Sequence, residues 1–232
     1  MSLKKIMIIF AILLISASAL WAGDVASFVD LGFSPDGRIY MFGQHGVLSP
    51  SLRPWADLFI VDVAANNFVP NGRISHTQDI PIKAGQDGSG VFFQLVSRNS
   101  SLANSHGINY QNQAQPLYIS RAENPPTRGE TIDFRDFRSG NSYKAEIVPT
   151  IEGSGQNLRS SFFIRLESRS SNGQLRTYVV GTPQLRRSRI TAYNFNRVLI
   201  DSHGESLIFV IEMKRVAENG FDIRYMVEAL RL

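Results

Sequence analysis

Beyond residue 23, glycine and proline interrupt this chain so often that the segments between them are short, and those segments are rich in Val, Ile, Phe, Tyr and Thr. β-Branched and aromatic residues suit a pleated, half-buried surface, so the pattern reads as strand more than helix. Strands are expected at Val25–Leu31, Arg38–Gly43, Asp57–Val63, Gln115–Ser120, Glu130–Phe137, Ser142–Ile151, Ser160–Ser168, Gln174–Val180, Ile190–Ile200, Ser206–Met213 and Asp222–Leu230. Period-two alternation is clearest where Ser160, Phe162, Ile164 and Leu166 oppose Phe163, Arg165 and Glu167. The expected fold class is therefore mainly β, with antiparallel sheets in a sandwich-like or incomplete propeller-like array and about one helix.

That helix falls at Asp87–His106, where Val91, Phe92, Leu95, Val96, Leu102 and Ala103 recur at near-helical spacing. Asp87 or Ser89 can cap its start, and Gly107 stands where a left-handed stop is needed. Strand is the competing reading for Val91–Val96. The stretches Asn66–Gln86 and Ala122–Gly129 read as irregular loops, and no linker divides residues 23–232, which form one domain.

The N-terminus carries an address. Lys4 and Lys5 precede an uncharged run from Ile6 to Ala17, about a dozen residues, which suits a signal-peptide core and falls short of the roughly 20 that a spanning helix needs. Cleavage is expected after Ala22, with Ala19 as the alternative site and an uncleaved anchor as the alternative reading. The mature chain would then start at Gly23 and be secreted or periplasmic. Losing the two lysines lowers the formal charge from +4 to +2, so the exported domain is only mildly basic. Cysteine is absent, which excludes lipidation of the bacterial kind and disulfides, and leaves packing and hydrogen bonds to hold about 210 residues together. No later stretch is long and apolar enough to span a bilayer as a helix.

Two segments echo each other. Ser34-Pro35-Asp36-Gly37 leads into Arg38–Phe42, and Asp201-Ser202-His203-Gly204 leads into Ser206–Phe209; in each, a tight turn ending in Gly feeds an apolar strand. The first resembles the turn of the TolB-type β-propeller repeat, and the second is a degenerate copy. Two units are too few for a closed propeller. Across nearly the whole mature chain the sequence also resembles an uncharacterised family of predicted secreted bacterial proteins. The carrying stretches are Gly23–Ala26, Leu31–Gly37, Val61–Pro70, Ile132–Phe137, Ser161-Phe162 and Asp222–Tyr225. That resemblance implies secretion and a single domain, and carries over no catalytic residue.

Known catalytic and metal patterns are missing. His45, His76, His106 and His203 belong to no metal-binding motif, and there is no nucleophile elbow and no thiol. Gly85-Gln86-Asp87-Gly88-Ser89-Gly90 lacks the Lys-Ser/Thr that a phosphate loop requires. Asp133 and Asp136 could serve glycoside hydrolysis only if folding set two carboxylates across a groove; edge-strand charge is the simpler reading.

Arginine is the feature that stands out. Arg165, Arg169, Arg176, Arg186, Arg187 and Arg189 crowd a stretch with one acid, Glu167. Strand parity puts Arg165 with Arg169, and Arg187 with Arg189. Guanidinium forks could grip phosphate or carboxylate, which in an envelope means an acidic protein, the cell wall or lipid headgroups. A solvated sheet face balanced by acids elsewhere is the plainer alternative. Export argues against nucleic acid. The expectation is a non-enzymatic binding or structural protein without cofactor or metal. A cell-wall or polysaccharide hydrolase is one rival; an outer-membrane β-barrel with Arg224 and Glu228 facing its lumen is the other.

Overall fold

The computed structural model describes residues 23–83, 85–121, 129–218 and 220–232. The expected signal segment and nearly all of the loop at 122–129 lie outside them. The chain opens with a meander, β1 (Ser27–Phe33), β2 (Ile39–Leu48), β3 (Arg53–Asp62) and β4 (Asn67–Thr77), paired in that order as an N-terminal sheet. Two helices follow, α1 (Ser89–Arg98) and α2 (Ser100–Ser105). Then come β5 (Gln115–Ile119), β6 (Thr131–Arg135), β7 (Ser142–Glu152), β8 (Arg159–Arg169), β9 (Leu175–Val180) and the two-residue β10 (Arg187–Ser188). The chain ends in β11 (Ile190–Ile200), β12 (Ser206–Ala217) and β13 (Gly220–Arg231). Strands β10-β8-β7-β6, with β9 also on β8, make an outer sheet; β13-β12-β11-β5 make a central one. All three sheets are antiparallel.

The layers follow from which faces are greasy. On β12, Leu207, Ile208, Phe209, Val210 and Ile211 are all fully buried. Leu207, Phe209 and Ile211 pack toward the outer sheet, and Ile208 and Val210 toward the N-terminal sheet. An unbroken apolar run is what a strand covered on both faces requires, and each of those side chains contributes roughly 1.5–3 kcal/mol by leaving water. In β3 the run Leu58–Val61 is likewise split: Phe59 and Val61 face the central sheet, while Leu58 and Ile60 face the helices. The stack is thus helices, N-terminal sheet, central sheet, outer sheet. On β8, by contrast, Phe162, Ile164 and Leu166 are buried and Arg165, Glu167 and Arg169 are exposed, so the outer sheet shows one face to solvent.

The helical expectation holds, as two helices broken at Asn99. Val91, Phe92 and Leu95 are buried against the N-terminal sheet, and a Cβ at Gly43 would stand 2.3 Å from the Phe92 ring, so only glycine leaves room there. Gly107, at φ +69, ends the segment.

One element departs from expectation. β4 forms inside the stretch read as irregular. Pro70-Asn71-Gly72 looks like a turn, but β4 is an edge strand and its register slips opposite Ile60, and edges and bulges are where a sheet tolerates such residues. The echoing turns are also hairpin connections, β1–β2 and β11–β12, and they meet. His203 Nε2 lies 2.7 Å from the Pro35 carbonyl, and the Ser206 hydroxyl donates to the Gly37 carbonyl at 2.7 Å. Val25 bridges Ile223 nearby, so the described chain ends interlock.

The sheets remain open, which removes the β-barrel alternative for the described residues. Arg224 and Glu228 face no lumen; both are nearly buried beside neighbouring chain. No described helix is long and apolar enough to cross a membrane.

Candidate functional site

β13 is an edge of the central sheet, and the register with β12 runs without a bulge from Gly220 to Arg231. Every second residue therefore points its N–H and C=O away from β12. Ile223 donates to the Asp24 carbonyl at 2.8 Å and accepts from Ala26 N–H at 3.1 Å. Tyr225 N–H donates to Gln44 Oε1 at 2.8 Å, and Ala229 N–H to Asn66 Oδ1 at 2.7 Å. Val227 belongs to the same outward set, and among the described residues its N–H and C=O make no hydrogen bond.

A cleft of about 730 Å³ opens along this edge. One wall comes from the N-terminal sheet through Asp57, Phe59, Val61, Phe68 and Arg73. The other comes from the chain between β9 and β11 through Thr182, Leu185, Arg187 and Ile190. Met213, Arg215 and residues 224–228 form the floor. Phe68 and Leu185 are exposed at 44% and 53%, one on each wall.

Three of the four cleft arginines are held by carboxylates. Arg224 lies 2.7 Å from Asp24 and 4.2 Å from the Trp55 ring centroid, and Trp55 Nε1 donates to the same Asp24 oxygen at 2.5 Å. Burial raises the Asp24 carboxyl above its ordinary value in spite of Arg224. Arg215 donates to Asp222 at 2.6 Å, while its Nε is buried without a partner among the described residues. For Asp222, burial pushes up, but the bonds from Arg215 and Asp24 N–H and the Arg224 charge outweigh it and hold the carboxyl low. Arg187 stands over the Phe162 ring at 5.0 Å and lies 3.6 Å from Glu228. Arg73 is exposed and makes no ion pair among the described residues.

Glu228 is the node of the cleft. Its carboxylate accepts from Asn66 Nδ2 at 2.6 Å on the side of the N-terminal sheet and faces Arg187 on the other. Gly181, at φ +99, packs so closely that a Cβ there would lie 3.1 Å from the carboxyl carbon. Burial raises the Glu228 carboxyl, more than Asn66 and Arg187 lower it. On the same strand, burial and Glu212 push Tyr225 up to about 12.

The structure does not gather the six expected arginines. Arg165 sits on the solvent face of the outer sheet in a cross-strand pair with Glu146 at 2.5 Å, and Arg169 is exposed on the same face. Arg176 is exposed on β9, and Arg186 pairs with Glu152. Arg187 alone lines the cleft. Arg189 adopts φ +60, which breaks the expected parity with Arg187, and it lines a separate cavity of about 180 Å³ with Gly23, Glu218 and Asp222. Asp133 and Asp136 are likewise separated in role: Asp133 faces Lys144 in register, and Asp136 is buried in the β6–β7 turn, accepting from Ser139 Oγ at 2.6 Å. His45 packs on Phe92, and no group of three His, Asp or Glu fit to hold a metal occurs among the described residues. Arg73, Arg215 and Asp24 escaped the sequence reading because the cleft joins residues distant in the chain, as Asn66 and Glu228 are, 162 positions apart.

No curated protein and no solved structure matches the chain. A family model does match, over residues 41–231, so the chain belongs to the family described as predicted secreted protein (DUF2259).

Proposed function

We propose that the protein is exported, is cleaved after Ala22, and acts in the envelope or beyond it as a non-catalytic binding protein whose site is the β13 cleft. One observation carries this reading: a single opening of about 730 Å³ unites an apolar lining with arginines from four strands, Arg73, Arg187, Arg215 and Arg224. Ligand sites of roughly 300–1,000 Å³ are commonly apolar clefts with a few convergent polar groups. Arg73 supplies a fork for a carboxylate or phosphate. Of the arginine-rich stretch, Arg187 belongs to this site; Arg165 and Arg169 lie together on the solvent face of the outer sheet, apart from it. The TolB-type turn at Ser34–Gly37 serves to fasten the ends of the chain. The test is a thermal-shift screen of residues 23–232 against anionic amphiphiles and acidic peptides, beside the Phe68→Ala/Arg73→Ala variant. Ligands should raise the melting temperature of the wild type and lose their effect in the variant; equal shifts in both would remove the cleft from the reading.

A second reading has one observation in its favour. Asp57 and Glu228 both line the cleft, and Glu228 is the carboxyl raised by burial, as a general acid in a polysaccharide hydrolase would be. Release of reducing ends from envelope polysaccharide by the wild type, abolished by Glu228→Gln, would replace binding with hydrolysis as the conclusion.

A further inference from the structure

Building on the cleft as the binding site, we infer that its occupant is a short extended segment of a partner polypeptide, paired to the open edge of β13 at Tyr225–Val227. The floor decides between ligand chemistries. It presents main-chain donors and acceptors: the Val227 N–H and C=O are unpaired among the described residues, and Val227 is buried. An acyl chain laid over these groups would strip them of water and return nothing. An extended peptide replaces the water with ladder hydrogen bonds, as in strand addition to a sheet edge.

The neighbours set the length and character of that segment. Asp24 and Ala26 already pair with Ile223, and Gln44 and Asn66 occupy the N–H groups of Tyr225 and Ala229. These caps leave a gap of a few residues, so the edge is blunted against long strands and open only at its centre. Side chains of an added strand alternate between the two walls, where they meet Phe59 and Phe68 on one side and Leu185 and Ile190 on the other. Both sets are apolar. The segment that fits is therefore a brief run of Val, Ile, Leu or Thr with an acid at one end for Arg73, the cleft arginine without an ion pair among the described residues.

The experiment selects heptapeptides from a random displayed library on the mature protein, and follows backbone amides by NMR with the selected peptides and, separately, with dodecyl phosphate. The expected peptides are apolar with a terminal acid. They slow exchange of the Val227 amide by about ten-fold or more, and methylating the pairing peptide nitrogen weakens binding about ten-fold. Peptides that bind without protecting Val227, or dodecyl phosphate shifting the Phe68 and Val227 amides where no peptide does, would overturn strand pairing and leave the cleft as a site. Protection of Val227 in a self-dimer without peptide would overturn the partner in favour of a second copy. If neither probe moves any cleft amide, the binding reading itself falls.

Discussion

Replacing Asp24 tests how the two ends of the described chain are fastened beside the cleft. Its carboxylate accepts from Trp55 Nε1 at 2.5 Å and from Arg224 at 2.7 Å, its N–H donates to Asp222 at 3.2 Å, and its carbonyl accepts from Ile223. The Asp24 and Arg224 side chains are 3% and 12% exposed. Asp24→Ala removes both side-chain bonds and leaves Arg224 with Asp222, 3.9 Å away, as its carboxylate partner. Breaking a buried pair costs about 3–5 kcal/mol. Arg224 keeps Asp222 and its bonds to the Asp24 and Ile223 carbonyls, which lowers the expected loss to about 2–3 kcal/mol. In a chain of this size that is a fall in melting temperature of roughly 5–10 °C. Asp24→Asn separates charge from hydrogen bonding. Because burial raises the Asp24 carboxyl, the negative charge itself is held at a cost, and asparagine keeps an acceptor for Trp55; its loss should stay near 1 kcal/mol. Urea unfolding of residues 23–232 followed by tryptophan emission suits the question, since Trp55 is the only tryptophan in that span. An alanine variant within about 0.5 kcal/mol of the wild type, or an asparagine variant as damaged as the alanine one, would refute this account of the N-terminal fastening.

Two further outcomes follow from the cleft and the sheet faces. Arg165→Ala should change stability by less than about 1 kcal/mol, because its pair with Glu146 is half exposed, whereas Arg187→Ala should cost about 2 kcal/mol through Phe162 and Glu228; equal losses in denaturant would remove Arg187 from the interior. The folded state holds the Glu228 proton more tightly than the unfolded chain, so Glu228 contributes most to stability below its ordinary value of 4.5, and that contribution falls as pH rises through the raised folded value. Glu228→Gln should therefore gain on the wild type as pH rises in thermal melts; a difference that shrinks with pH would contradict the direction of the shift.

How far the sequence revealed this molecule depended on whether the information was local. Strand chemistry was local, so β8 with its alternating Phe162, Ile164 and Leu166, and β12 with its unbroken Leu207–Ile211 run, were both expected where they occur. The helical segment was local too, down to Gly107 at its end. β4 was not, because Pro70-Asn71-Gly72 carries turn chemistry and only its place at a bulged edge makes it strand. The arginines mislead for a similar reason. Nearness along the chain placed six of them together, but β8 sends Arg165 and Arg169 to solvent, and the left-handed Arg189 turns away from Arg187. No local signal ties Arg224 to Asp24, 200 positions away; that pair is set by how the N-terminal segment lies along β13.

The charges of the cleft also say what kind of binding it can do. Arg224 faces Asp24, Arg215 faces Asp222 and Arg187 faces Glu228, so three of the four guanidinium charges are spent inside the protein. Such a cleft is a poor funnel for a polyanion; on the proposed reading Arg73 sets register and orientation, while apolar contact and main-chain pairing supply the affinity. The internal pairs have a mechanical consequence as well. Glu228 ties Asn66 of one wall and Arg187 of the other to the same strand, and so sets the spacing of the walls. A ligand that displaced Glu228 would break both of these ties. The proposed strand is therefore placed beside Glu228, over Val227, where the N–H and C=O are unpaired among the described residues.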